Sequence, residues 1–197
     1  MLLTGEQIKN MCSNESNNSL VITPLLDKKQ IGVSSIDLRL GTKFKTEVKT
    51  RKPIIEITDD DIEGFFDETF RSFGENFILY PNQLVLCNSF EYIRLPDNIV
   101  GLVYARSSLN RLGIQLSSIV QPGYAGSLTL ELINKGNNAV NLMVGMRIVQ
   151  LILFKVDDSL DKSYNINITK YIGNIDPIVS QISKDSDLKV LKKMILD

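Results

Sequence analysis

Ser127-Leu128-Thr129-Leu130-Glu131-Leu132-Ile133-Asn134 and, a little further on, Arg147-Ile148-Val149-Gln150-Leu151-Ile152-Leu153-Phe154 decide the fold. The first alternates, with Leu128, Leu130 and Leu132 on one face and Thr129, Glu131 and Ile133 on the other. A period of two residues belongs to a β-strand. The second is a nearly continuous apolar run broken by one amide. Around them, strand signals are dense from Phe77 to Phe154: Phe77–Tyr80, Gln83–Asn88, Phe90–Leu95, Ile99–Ala105, Leu116–Val120 and Val140–Met143. Turn residues separate them at Pro81-Asn82, Pro96-Asp97, Pro122-Gly123 and Lys135-Gly136-Asn137. Many short strands with close turns predict an all-β barrel or sandwich.

Outward from this core, Ser35-Ile36-Asp37-Leu38-Arg39-Leu40 alternates and Gly41 is expected to end it. Leu20-Val21-Ile22 is a short strand closed by Pro24. Thr4-Gly5-Glu6-Gln7 reads as a capping box for a short helix bearing Ile8 and Met11 on one face. Leu188, Leu191 and Ile195 recur at helical intervals, so a terminal helix is expected to pack on the body or on a neighbouring subunit. Residues from about Thr46 to Asn76 read as a partly helical insertion. There Thr58-Asp59-Asp60-Asp61 suits a helix N-terminus running to about Phe70, with a metal site the sharper alternative for the aspartates.

Composition narrows the chemistry. The chain has 197 residues, enough for one domain with a full core, and a net charge of -1. No global field draws it to nucleic acid or to an anionic membrane, so a bound nucleotide must meet a local cationic patch. No apolar stretch is long enough to span a bilayer. Two cysteines far apart, Cys12 and Cys87, and an opening Met1-Leu2-Leu3-Thr4-Gly5 without a secretory pattern suggest reduced thiols and a cytoplasmic protein. There is no histidine. That removes Ser-His-Asp and Cys-His catalysis, and the zinc deaminase pattern with its H-x-E and P-C-x-x-C ligands. Acid-base work falls to a carboxylate, Lys, Tyr, Cys or water.

Candidate site residues follow from residue type and place. Arg106-Ser107-Ser108 follows a strand and offers a guanidinium fork and hydroxyls to phosphate, with Arg111 nearby; a capped helical turn with a solvated arginine is the plain alternative. Tyr124, in Pro122-Gly123-Tyr124-Ala125-Gly126, could stack under a sugar or base, or simply pack in a hairpin. Glu131 in a strand could be a buried carboxylate with a raised pKa, suited to shuttling protons, or an outward glutamate on a solvated face. Gln150 should hydrogen-bond something specific, a neighbouring backbone or a ligand.

Taken in order, these motifs resemble the dCTP deaminase and trimeric dUTPase superfamily. Leu3-Thr4-Gly5-Glu6-Gln7-Ile8 and Ser35-Ile36-Asp37-Leu38-Arg39-Leu40-Gly41 resemble its deaminase branch. Ala105-Arg106-Ser107-Ser108-Leu109-Asn110-Arg111-Leu112-Gly113, Gln121-Pro122-Gly123-Tyr124-Ala125-Gly126, the Glu131 strand and Gly145-Met146-Arg147-Ile148-Val149-Gln150-Leu151 follow in family order. The resemblance covers most of the chain, as one dCTP deaminase-like domain over 1–197.

The resemblance implies a mainly β, distorted barrel or jelly-roll of the dUTPase-like type with short N- and C-terminal helices. It implies a homotrimer with active sites at subunit interfaces. The reaction would be zinc-free deamination of dCTP to dUTP. Glu131 would be general base and acid, with Arg111 and Ser107 positioning it and the water. Arg106, Ser108 and Gln150 would hold a triphosphate arriving with magnesium, and Tyr124 would pack on deoxyribose. A C-terminal segment, 160–197, would close over the site. In it Tyr164 and Lys170 would touch phosphates, and Asn174 stands where the family commonly has a glutamine near the base. dTTP is a candidate inhibitor. Gln121 replaces the family's usual aspartate, which serves the hydrolytic water in dUTPases and bifunctional deaminases. A glutamine cannot take a proton, so hydrolysis of the triphosphate is expected to be weak or lost. The alternatives are a dUTPase or dUMP-forming bifunctional enzyme, and a non-catalytic nucleotide-binding relative.

Overall fold

A computed structural model describes residues 1–196 apart from 15, 17, 49, 52–53, 59–60 and 157–170. The chain is mainly β. Its strands are β1 (Val21–Thr23), β2 (Ile36–Glu47), β3 (Phe66–Phe70), β4 (Asn76–Leu79), β5 (Leu84–Arg94), β6 (Ile99–Ala105), β7 (Ile114–Gln115), β8 (Ser117–Val120), β9 (Ala125–Asn134), β10 (Val140–Met143) and β11 (Arg147–Lys155). Helices are α1 (Gly5–Cys12), the single turn α2 (Ser107–Asn110) and α3 (Ser186–Leu196).

One large sheet runs β7-β9-β5-β2-β11-β6-β8, with β1 added on β5 and β3 on β2; β4 and β10 form a separate ribbon. Strands β7 and β8 lie at opposite ends of that path yet are separated in sequence by Leu116 alone. The path must therefore curl until its ends meet, which makes a nearly closed barrel.

The alternation in β9 behaves as the period demands. Leu128, Leu130 and Leu132 are buried, while Glu131 points outward. The core is built from these leucines, from Ile36, Leu38 and Leu40 of β2, and from Ile148, Val149, Leu151 and Leu153 of β11. Burying one such side chain stabilises the fold by about 1.5–3 kcal/mol. Phe44 stacks on Phe77 at 4.2 Å between ring centres, joining the ribbon to the barrel. The Thr4 capping box forms as read, with Thr4 Oγ1 accepting from Gln7 N and Gln7 Oε1 from Thr4 N.

Several expectations are corrected. Strand β2 does not end at Gly41 but passes through it to Glu47. An ideal Cβ on Gly41 would lie 2.3 Å from Asn88 Oδ1, so glycine serves a close strand approach, and the register shifts between Leu40 and Phe44. Gln83–Asn88 and Phe90–Leu95 are one strand, β5, broken only by an irregularity between Asn88 and Tyr92. The helix expected to run to Phe70 is instead one 3-10 turn, Glu63–Phe65, followed by β3. Phe66, Glu68 and Phe70 alternate, and β2 offers an unpaired edge. Lys45 on β2 ties the arrangement together by ion pairs to Glu63 and, at 3.6 Å, to Glu68. Asp59 and Asp60, central to the metal alternative, lie outside the described residues. Helix α3 forms as expected; in the single chain Leu191 and Met194 are exposed, so of the two expected partners the body does not cover them.

Cys12 and Cys87 are both free thiols. Among the described residues no helix is long and apolar enough to cross a membrane.

Candidate active site

Strand β9 and the turn before it bring together one group of the candidate residues. Gln121, Tyr124 and Glu131 line a single cleft of about 760 Å³, together with Ser118, Thr129 and Tyr171 on its polar side. That volume suits a small-molecule site. The turn is shaped by Gly123 at φ +75° and by Gly126, where a Cβ would meet the Asn174 carbonyl at 2.6 Å. Tyr124 is fixed, since its hydroxyl donates to the Ser127 carbonyl at 2.7 Å. Burial, with a smaller push from Tyr92, raises its phenol well above the ordinary value, so it stays neutral and acts as a packing and hydrogen-bonding group. This tyrosine therefore packs in the turn, as the plain reading had it, and also lines the cleft.

Of the two readings of Glu131, the outward one describes its place and the raised pKa of the other also holds. In the single chain its side chain is exposed on the outer face of β9 and has no hydrogen bond or ion pair among the described residues. Its directly opposite neighbour on β5 is Leu86. The protein mass around the cleft floor still desolvates the carboxyl enough to raise its pKa. An unpaired carboxyl with a raised pKa in a large cleft is suited to taking and returning a proton.

A second group lies elsewhere on the chain. Arg106 follows β6 as the N-cap of α2, and its backbone N–H donates to the Ile148 carbonyl at 2.9 Å. Ser107 and Ser108 start α2, both exposed, and Arg111 follows it, also exposed. Gln150 on β11 is half-buried and stands between Asp37 on β2 and Tyr104 on β6. Its amide makes no hydrogen bond among the described residues, contrary to the expectation of a backbone partner, and is left available to a ligand. Arg106, Ser107, Ser108, Arg111 and Gln150 do not line the cleft that holds Glu131. Within one chain the phosphate-type donors and the carboxylate belong to different surfaces.

Asp37 joins the Arg106 group, a place its sequence does not announce. In sequence it reads only as the polar side of an alternating strand. Folded, it is nearly buried and lies 3.5 Å from Arg106 Nη2 and 3.4 Å from Arg147 Nη1. Its signal is visible only in register, as a carboxylate opposite Gln150.

Tyr164 and Lys170 lie outside the described residues. Asn174 is described, and its role here is structural. Its carbonyl accepts from Ser127 N at 2.9 Å and its side chain donates to the Ile172 carbonyl at 3.4 Å; it does not line the cleft.

The chain matches the family model described as dCTP deaminase-like over residues 2–156. It is 36% identical over 176 residues to the dUMP-forming dCTP deaminase of Methanobrevibacter smithii, covering 86% of this chain and 91% of that one. It is 36% identical over 178 residues to the dCTP deaminase of Halorubrum lacusprofundi, covering 87% and 88%. It is also 36% identical over 191 residues to the dUMP-forming dCTP deaminase of Sulfurihydrogenibium sp., covering 95% and 100%. The crystal structure of the 2'-deoxycytidine 5'-triphosphate deaminase from Agrobacterium tumefaciens shares the fold, with a TM-score of 0.60 at 22% identity over 77% of this chain. The present chain spans 45% of that longer one. Ordered motifs, barrel topology and relatives along most of the length agree: the chain belongs to the dCTP deaminase-like family of enzymes.

Proposed function

We propose that the protein deaminates dCTP, with water, to dUTP and ammonia. The observation that carries this reading is the unpaired, desolvated Glu131 sharing a cleft with Tyr124 and Gln121. Glu131 takes a proton from water as the oxygen attacks C4 of cytosine, and returns it to the departing amino group. Tyr124 walls the sugar side. Arg106, Ser108 and Gln150 hold the triphosphate, and Arg111 and Ser107 orient Glu131 and the water.

Because those donors and Glu131 occupy different surfaces of one chain, the site is completed between subunits of a homotrimer. The unsatisfied amide of Gln150 and the exposed Arg111 support that assembly. The triphosphate brings magnesium with it as part of the substrate. Asp37, the carboxylate beside Arg106, is already engaged by Arg106 and Arg147, so no side chain is assigned to the metal. Tyr164 and Lys170, by the family pattern, would serve the phosphates, whereas Asn174 holds the C-terminal segment on β9 rather than meeting the base. dTTP, sharing sugar and triphosphate, competes there.

The product is dUTP rather than dUMP, because Gln121 in the cleft has no basic oxygen with which to activate water against the α-phosphate. The dUMP-forming names of several relatives favour a second reading, in which another group supplies that base. Incubation with dCTP or dUTP and magnesium, following ammonia, dUTP, dUMP and pyrophosphate, separates them. Ammonia without pyrophosphate supports the first; pyrophosphate from dUTP supports the second. Pyrophosphate from dUTP with no ammonia from dCTP leaves a dUTPase; neither product, with a melting temperature raised by dCTP, leaves a nucleotide-binding relative.

A further inference from the structure

Glu131 lies in an angle between two segments that come from distant parts of the chain. The first is 171–182, which runs along β9. Gly173 N donates to the Ala125 carbonyl at 2.7 Å, and Ser127 N to the Asn174 carbonyl at 2.9 Å. Asn88 Nδ2 donates to the Ile175 carbonyl at 3.2 Å, Lys43 pairs with Asp176 at 2.6 Å, and Ile178 N donates to Thr129 Oγ1 at 3.2 Å. Thr129 is on the Glu131 face, two residues short of it.

Beyond Thr129 the hold becomes apolar. Val179, Ile62 and Leu86 form one buried cluster, exposed by 7%, 5% and 6%, with Phe66, Leu84 and Ile182 packed against it. Leu86 stands opposite Glu131, and Ile62 comes from the stretch before β3. That stretch otherwise exposes its isoleucines: Ile54, Ile55 and Ile57 are 66%, 40% and 50% exposed. Ile62 alone among these is sealed, and it is sealed under the C-terminal segment.

We propose that Ile62 is a positioning residue: by packing with Val179 and Leu86 it docks 171–182 onto the sheet and keeps the surroundings of Glu131 apolar. This rests on the reading of Glu131 as the proton shuttle. The segment 46–76 thereby acquires a task in the site, since Ile55, Ile57, Ile62 and Phe66 also line the Glu131 cleft. Loss of the dock admits water to the carboxylate, whose raised pKa has desolvation as its cause. The charged and titratable groups on the surrounding elements are Tyr124 of the cleft, Lys43, Lys45 and Glu47 of β2, Asp61 and Glu63, Asp67 and Glu68 of β3, and Tyr171, Asp176, Lys184 and Asp185 of the C-terminal part. Lys43 and Lys45 are already paired, with Asp176 and with Glu63 and Glu68 respectively.

The test compares Ile62→Ala, Val179→Ala, the double variant, Ile62→Val and Glu131→Gln in the full-length protein. Ile62→Ala and Val179→Ala should each lower kcat/KM for dCTP roughly tenfold or more and move the acid limb of the pH profile to lower pH. The double variant should be no worse than the more damaging single one, since both remove one contact. Ile62→Val should restore most of the rate. Independently of activity, exchange of the Ile178 amide should quicken in both alanine variants. An unmoved acid limb, strictly additive losses, or an unchanged Ile178 amide would each overturn the proposal. If Ile62→Ala does not fold, Val179→Ala probes the same contact from the other side. Ammonia release by Glu131→Gln would instead remove Glu131 from the chemistry; an inactive Glu131→Gln with an unmoved limb in the others overturns only the dock.

Discussion

Leu86 and Glu131 stand directly opposite each other on β5 and β9, side chains on the same outward face. The leucine is buried and the glutamate open to the cleft, so an apolar wall borders one side of the only acid in the cleft among the described residues. That pairing explains how a carboxyl without a partner acquires a raised pKa on a surface strand.

Glu131→Gln tests the proton shuttle. The amide keeps the shape but cannot carry a proton, so ammonia release should fall by roughly 10²–10⁴-fold. Binding should survive, seen as an unchanged rise in melting temperature with dCTP. Retention of full activity would sink the assignment.

The pH profile should follow from the same group. Glu131 must be ionised to accept the proton of water, and its pKa is raised above the ordinary value of about 4.3. The rate should therefore fall as pH drops through a midpoint above that value. A kcat/KM profile flat down to the ordinary glutamate range would contradict it.

Gln121→Asp should restore a base to the cleft. The variant is expected to release pyrophosphate from dUTP at least severalfold faster than the parent chain, with ammonia release from dCTP retained. Equal pyrophosphate release by both would show that position 121 does not decide the product.

Glu91 governs a stability effect apart from the cleft. It is fully buried, accepting from Gln30 Nε2 and from Arg39 N, both at 2.8 Å, and burial is the largest influence raising its pKa. The folded state therefore holds this proton more tightly than the unfolded chain. Its contribution is fully present below about pH 4.3 and is lost as pH rises through the folded value. Glu91→Gln should remove that slope and, by facing an amide donor toward existing donors, cost about 1–3 kcal/mol near neutrality. Denaturant melts of both proteins across pH 4–8, a range chosen from the ordinary carboxylate value upward, provide the check.

Gly41→Ala should lower the melting temperature, because its Cβ would lie 2.3 Å from Asn88 Oδ1 and 2.5 Å from the Asn88 carbonyl. Such crowding typically costs about 1–3 kcal/mol. The same shift displaces Asn88 from the Ile175 carbonyl, so dCTP binding should weaken with it. An unchanged melt would show that β2 and β5 can part without penalty.

Local order was legible in the sequence wherever one period ruled. Residues 99–105 and 140–143 are strands with the bounds their patterns suggest, and Leu128, Leu130 and Leu132 turn inward because alternation leaves a strand no other choice. The motifs around Arg106, Tyr124, Glu131 and Gln150 likewise disclosed the family, since residue type and order survive without coordinates. Absence of histidine excluded whole mechanisms before any fold was known.

Only the tertiary structure decided what those residues face. Aspartates before Phe66 suggested a helix, yet an open edge on β2 drew the segment into β3, because pairing a strand satisfies more backbone groups than a short isolated helix. Asp37 gained its meaning from Arg106 and Arg147, which approach it from distant segments. Most of all, Glu131 was legible as an acid on a strand, but not as an unpaired one. Its neighbours Leu86, Ile62 and Val179 lie tens of residues away, and a pattern of period two records which face a side chain takes, not what will cover it.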